Sequence, residues 1–249
     1  MEPVGDTVPI AELLDERRHL LEVAHWMLGS PVAAERVIDE AYREWYGLTD
    51  RQRSRIGSPR AWLSRVVGTI CLERLAPPEK AAFVLGDAPG TAVGTAEGGP
   101  GQPEPECAEP ANRARHSLRT RRARPASPRR QDEIAQAVRQ ACADEDAGRL
   151  ASLLTPDVTA FFDGGGKVRA LTRPVTGSEG VARSLLTLLA RHPRTTLRTH
   201  PVNGSTGLVA RYDDQVAAVV ALDVTGSHVV QVWVVLNPDK LRSWNRPRP

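Results

Sequence analysis

Cysteine is scarce in this 249-residue chain, and the three present, Cys71, Cys107 and Cys142, are an odd number at wide spacing. A disulfide framework and a cysteine metal site are both excluded as organising principles, and we read all three as free thiols. Long apolar runs are missing too: none approaches the ~20 residues that a bilayer crossing needs. The first thirty residues contain Asp6, Glu12, Asp15, Glu16 and Glu22 and lack the basic start and apolar core of a secretion signal. The expectation is a soluble, cytoplasmic protein without cofactor or metal. Net charge is small as well, a formal +3. With 41% hydrophobic and 25% charged residues, the composition is that of a globular protein with one large or two small domains.

The charge that is present is local. Between Ala111 and Gln131 stand eight arginines and no acid: Arg113, Arg115, Arg119, Arg121, Arg122, Arg124, Arg129 and Arg130. Such a run attracts phosphate, although a solvated linker has the same composition. Just before it, residues 86–110 hold six glycines and five prolines, which cannot sustain a helix or bury a core.

On either side of that stretch the pattern is regular. Ile10, Leu13, Leu14, Leu20, Leu21, Ala24, Met27 and Leu28 recur at helical spacing. Ser30-Pro31 and Ser58-Pro59 are helix starts, followed by Val37, Ile38, Ala41 and Trp45 on one face and by Leu63, Val66, Val67, Ile70 and Cys71 on another. Residues 1–75 therefore read as a small all-α bundle. Residues 131–249 read as α+β. Two short helices broken around Asp144 to Gly148 precede a strand from Val158 to Phe162. Gly164 to Gly166 turn into a second short strand, Val168 to Leu171, and a helix follows around Val181 to Leu189. Three closing strands are expected over Thr195 to Val202, over Leu208 through Asp213 and Asp214 to Val224, and over His228 to Leu236. Long antiparallel strands with an inserted helix suggest a curved sheet wrapped as a cone around it. Residues 76–130 are left as the linker.

Three stretches, LLEVAHWMLGS (Leu20 to Ser30), AAERVIDEAYREW (Ala33 to Trp45) and SPRAWLSRVVGTICLERL (Ser58 to Leu75), resemble region two of extracytoplasmic-function sigma factors. FFDGGGKV (Phe161 to Val168), TRPVTGSEGVAR (Thr172 to Arg183) and NPDKL (Asn237 to Leu241) are similar to the SnoaL-like extension of one group of these factors. In that family a second helical region reads the minus-thirty-five promoter element. Here Ala76 to Asp87 resembles its opening and Arg113 to Pro125 its basic tail, while the helix-turn-helix between them is degenerate.

The resemblance implies a transcription protein that binds RNA polymerase core and promoter DNA and is regulated by its C-terminal domain. Polymerase docking falls to the acids of the second helix, Glu35, Asp39 and Glu40, with Arg43 beside them. Arg36 stands where the family carries another acid, which reverses one charge in a surface whose complementarity sets association. Promoter contact falls to Arg60, Trp62, Arg65, Thr69 and Arg74, and to the arginine run Arg113, Arg115, Arg119, Arg121 and Arg122. A basic surface with an aromatic shelf is what an unstacked strand requires. Trp62 also lies near the apolar face of Leu63 and Val66, where a core role suits it equally.

Two other readings remain open. One is a ligand-binding or protein-interaction regulator whose bundle is a relic, with a small hydrophobic ligand inside the cone. The other, less favoured, is a cyclase or isomerase, for which Asp163, Arg173, His200, Tyr212 and Asp223 could face a pocket. Asp163 next to three glycines also suits a turn, and DGGGK lacks the spacing of a phosphate loop.

Overall fold

A computed structural model describes residues 7–75 and 126–246. The opening helices follow from their end signals. α1 (Ile10–Leu28) stops at Gly29, whose φ of 66° only glycine adopts freely and whose N–H donates back to His25 O. Ser30 caps α2 (Pro31–Gly47) through its hydroxyl, with proline in the first turn. A one-turn α3 (Asp50–Arg53) is closed by a Thr49/Gln52 capping box, and Ser58 Oγ accepts from Ala61 N at the start of α4 (Pro59–Leu75). Leu20, Ala24, Val37, Ile38, Ala41, Tyr42, Leu63, Val67 and Cys71 are buried together between α1, α2 and α4.

α5 (Pro128–Ala143) begins earlier than the composition suggests, because Ser127 and Pro128 repeat the same capping signal inside the basic stretch. α6 (Ala147–Ser152), β1 (Leu154–Asp163), β2 (Val175–Thr176) and α7 (Ser178–Leu188) follow. The chain then makes β3 (Thr195–Val202), β4 (Ser205–Tyr212), β5 (Gln215–Thr225), β6 (His228–Val235) and a closing α8 (Pro238–Asn245).

The six strands form one sheet in the order β2-β1-β6-β5-β4-β3. It is mixed rather than wholly antiparallel, since β1 runs parallel to β6. The long strand expected from Leu208 to Val224 is a hairpin. Asp213 and Asp214 both adopt positive φ, 48° and 63°, the conformation that a two-residue turn between β4 and β5 demands. Asn203 and Gly204 make the corresponding turn between β3 and β4.

Two cores flank the sheet. On one face α5 and α7 press Ile134, Val138, Val181, Leu185 and Leu188 against Leu208, Ala210, Val220 and Val232. On the other, Leu241 and Trp244 of α8 cover Val202, Val209, Val216 and Val219, and the Asn245 side chain bonds both backbone groups of Val216. α1 is shared between the two halves of the protein. Its residues Leu20 and Ala24 belong to the bundle, whereas Ile10, Ala11 and Leu13 are buried with the core beneath the sheet.

Candidate functional site

The second helix presents its acids on one side, and each has acquired a cation. Glu35 bonds Arg17 of α1 at 2.6 Å, Glu40 bonds Arg74 of α4 at 2.5 Å, and Asp39 bonds Lys167 at 3.0 Å. The third pair crosses from the bundle to the C-terminal half. Arg43 and Arg36 stand on the same helix, Arg43 exposed and Arg36 half-buried. Asp39 and Lys167 are both half-buried, and the second carboxylate oxygen of Asp39 has no hydrogen-bond partner.

Lys167 is placed by a turn that only glycine can make. A side chain at Gly164 would stand 2.8 Å from Ala170 Cβ, and one at Gly165, where φ is 61°, would collide with the Asn237 side chain. Asp163 caps the turn by accepting from Gly165 N, and Lys240 of α8 holds its other oxygen at 2.6 Å. Asp239 is the second partner of Lys167, and the pair lowers the Asp239 carboxyl and raises the Lys167 ammonium. DGGGK and NPDK are thus one interlocked device that points a lysine at α2.

The segment after the turn docks on the bundle. Residues 168–171 do not form the expected strand; their backbone is bound by a side chain instead. The Tyr46 hydroxyl donates to Val168 O at 2.5 Å and accepts from Ala170 N at 2.9 Å. Arg169 Nε reaches both carboxylate oxygens of Glu16 within 3.0 Å, the two side chains being only 10% and 1% exposed. Tyr42 donates to the same Glu16, and burial together with that carboxylate pushes its phenol far up. A buried pair of this kind is tolerated where its hydrogen bonds are completed.

A second contact joins α1 to the β4–β5 hairpin. Tyr212 donates to the Asp15 carboxylate, with both oxygens at 2.8 Å. The Arg194 guanidinium lies 4.4 Å from the Tyr212 ring centre and bonds Asp213, which Arg18 of α1 also reaches at 3.0 Å. Hydrogen bonds from Arg194, then from Arg18, hold the Asp213 carboxyl at about 2.

The residues nominated for catalysis do not converge. Tyr212 serves the contact with α1, Asp163 serves the turn, and Arg173 is exposed on the surface near Asp50 of α3. His200 packs edge-on against Trp244 on the opposite face of the sheet from Tyr212. Asp223, on β5, is partly exposed. The interior expected for a ligand is occupied by the buried side chains of α5, α7 and the sheet. Among the described residues no cluster of three potential metal ligands occurs, and no helix is long and apolar enough to cross a membrane.

α4 divides its nominated residues. Arg65 and Thr69, one helical turn apart, are exposed on the outer face, and Arg60 is exposed in the first turn. Trp62 is half-buried with its ring 5.5 Å from Trp45 at a 61° angle, so one edge belongs to the core and the rest faces out. Arg74 is turned toward Glu40. Arg113, Arg115, Arg119, Arg121 and Arg122, like the remnant at Ala76 to Asp87, lie outside the described residues.

Comparison with known proteins adds to this geometry. The chain is similar to the extracytoplasmic-function RNA polymerase sigma factor SigJ of Mycobacterium tuberculosis, with 28% identity across 93% of this chain and 92% of that one. The chain is related to the extracytoplasmic-function sigma factors. It is a sigma-factor-like transcription protein with a SnoaL-like C-terminal domain. The alignment with SigJ runs over 298 positions, more than the 249 residues here, so SigJ contains stretches that this chain lacks. The probable sigma factor SigI of the same organism is 28% identical over 71% of this chain and 59% of its own length. Among solved structures, the crystal structure of SigJ aligns over 94% of this chain and 98% of its own at 24% identity and TM-score 0.39. A ketosteroid isomerase described as putative, from Kribbella flavida, aligns over 43% of this chain and 78% of its own at 15% identity and TM-score 0.33. No family model matches the sequence.

Sequence reasoning overlooked Glu16, Tyr46, Lys167 and Arg169, which carry the contact between the halves. The only trace of them was the pair of signatures around DGGGK and NPDK, which read locally as turn chemistry.

Proposed function

We propose that this sigma-factor-like protein binds RNA polymerase core through the acidic side of α2 and promoter DNA through α4, and that its SnoaL-like domain regulates the first of these by occupying part of that side. The observation that carries the reading is the Asp39–Lys167 pair, flanked by the capture of residues 168–170 by Tyr46. An acid already neutralised by a lysine of the same chain has less to offer a basic partner. Glu35, Glu40 and Arg43 complete the docking surface. Arg60, Arg65 and Thr69 meet phosphate, and Trp62 offers its outer edge to an unstacked base.

The arginines at 113, 115, 119, 121 and 122 add non-specific attraction, so DNA binding is chiefly electrostatic. The chain works in the cytoplasm and acts by binding, with no reaction of its own. Without a reader of the upstream promoter element, it engages polymerase without selecting promoters in the ordinary way. The test is co-elution of the full chain with purified bacterial core polymerase, together with fluorescence anisotropy on a promoter duplex at low salt. Complex formation in both is expected. Failure in both overturns the proposal.

A further inference from the structure

Outside the filled interior, the rim of the C-terminal domain holds an open cleft of about 470 Å³. Its walls come from the end of α5 (Cys142, Ala143), the turn after α7 (Leu189 to Pro193) and the start of β3 (Thr195, Leu197). Most of this lining is apolar. Burial pushes the Cys142 thiol up to about 12, so it stays protonated and behaves as one more apolar group.

Two polar features break the pattern. The Thr195 hydroxyl oxygen is buried and has no hydrogen-bond partner, although such a group ordinarily finds one. Arg191 is exposed at the mouth. Its backbone N–H donates to Glu145 at 3.3 Å, while its guanidinium makes no ion pair among the described residues. His192 lies beside it, with its Nδ1 accepting from Arg194 N.

We infer that this cleft is a binding site for a small amphiphile with an apolar body and a carboxylate head. The body lies along Cys142, Leu189, Pro193 and Leu197; the head accepts from the Thr195 hydroxyl and faces the Arg191 guanidinium. The volume suits a ligand of this size, since small-molecule sites span about 300–1,000 Å³. An uncharged body alone would leave Thr195 unsatisfied, and a divalent anion would exceed the single charge of Arg191. The site is independent of polymerase and DNA binding, and its test uses neither.

The probe is octanoate, titrated into the full chain by isothermal calorimetry. One saturable site is expected, with octanamide binding more weakly. Thr195→Val removes the buried donor and weakens octanoate about ten-fold. Arg191→Ala, at an exposed position, weakens it about three-fold. Ala143→Trp fills the cleft and abolishes binding, with circular dichroism melting confirming that each variant is folded. Absence of saturable binding to the folded wild-type chain overturns the assignment. So does binding that survives Ala143→Trp, or equal affinity for octanoate and octanamide.

Discussion

The hydroxyl of Tyr46 sits between the carbonyl of Val168 and the amide of Ala170, donating to one and accepting from the other. A residue of the helical bundle thereby replaces the neighbouring strand that residues 168–170 would otherwise need. Tyr46→Phe removes both bonds at a half-buried position and leaves a donor and an acceptor unpaired. The expected loss is about 1–3 kcal/mol. Chemical denaturation of the full chain measures it, and an unchanged midpoint would mean that water replaces the hydroxyl.

The pair of Glu16 and Arg169 makes a sharper forecast. Arg169→Met leaves a buried carboxylate with only Tyr42 as donor, and breaking a buried pair in this way costs about 3–5 kcal/mol. Adding Glu16→Gln removes the stranded charge while keeping an acceptor for Tyr42. The double variant is therefore more stable than the single Arg169→Met variant, which thermal or denaturant unfolding can rank directly.

Acid should loosen the contact between α1 and the hairpin. The Asp213 carboxyl is held at about 2 by Arg194 and Arg18, below the ordinary aspartate value of about 3.9. A carboxyl lowered in the docked state contributes fully above its ordinary range and loses that contribution as pH falls toward 2. Asp50, lowered by Arg53 and then Arg173, behaves in the same sense. Small-angle scattering between pH 6 and pH 2 should show expansion over this window, and Asp213→Asn should flatten the response.

How far the sequence revealed all this depends on the range of the interaction. Helix ends were legible because their signals are local: Ser30 with Pro31, Ser58 with Pro59, and Gly29. The Asp213-Asp214 turn was missed because neither residue is glycine and positive φ is uncommon elsewhere. Tyr212 was noticed as a polar group in an apolar strand, yet its partner Asp15 lies 197 positions away, and no periodicity carries that information. Glu16 and Arg17 read as an ordinary polar helix side until the C-terminal half covers them at 1% and 8% exposure.

For DNA, removing one arginine that meets a phosphate should reduce the salt dependence of binding. Arg65→Ala, on the exposed side of α4, lowers the slope of log affinity against log salt by about one and leaves sequence preference unchanged. Anisotropy titrations across a salt series provide the slope. A change in preference without a change in slope would place Arg65 on a base edge instead.

The central claim is that the C-terminal domain shields the acidic side of α2 from polymerase. Lys167→Glu puts a like charge beside Asp39 and opens that contact while leaving α2 itself unaltered. The deciding measurement is the affinity of core polymerase for the full wild-type chain and for the full Lys167→Glu chain, under identical salt. The account predicts tighter binding by the variant; equal or weaker binding by a folded variant would contradict it.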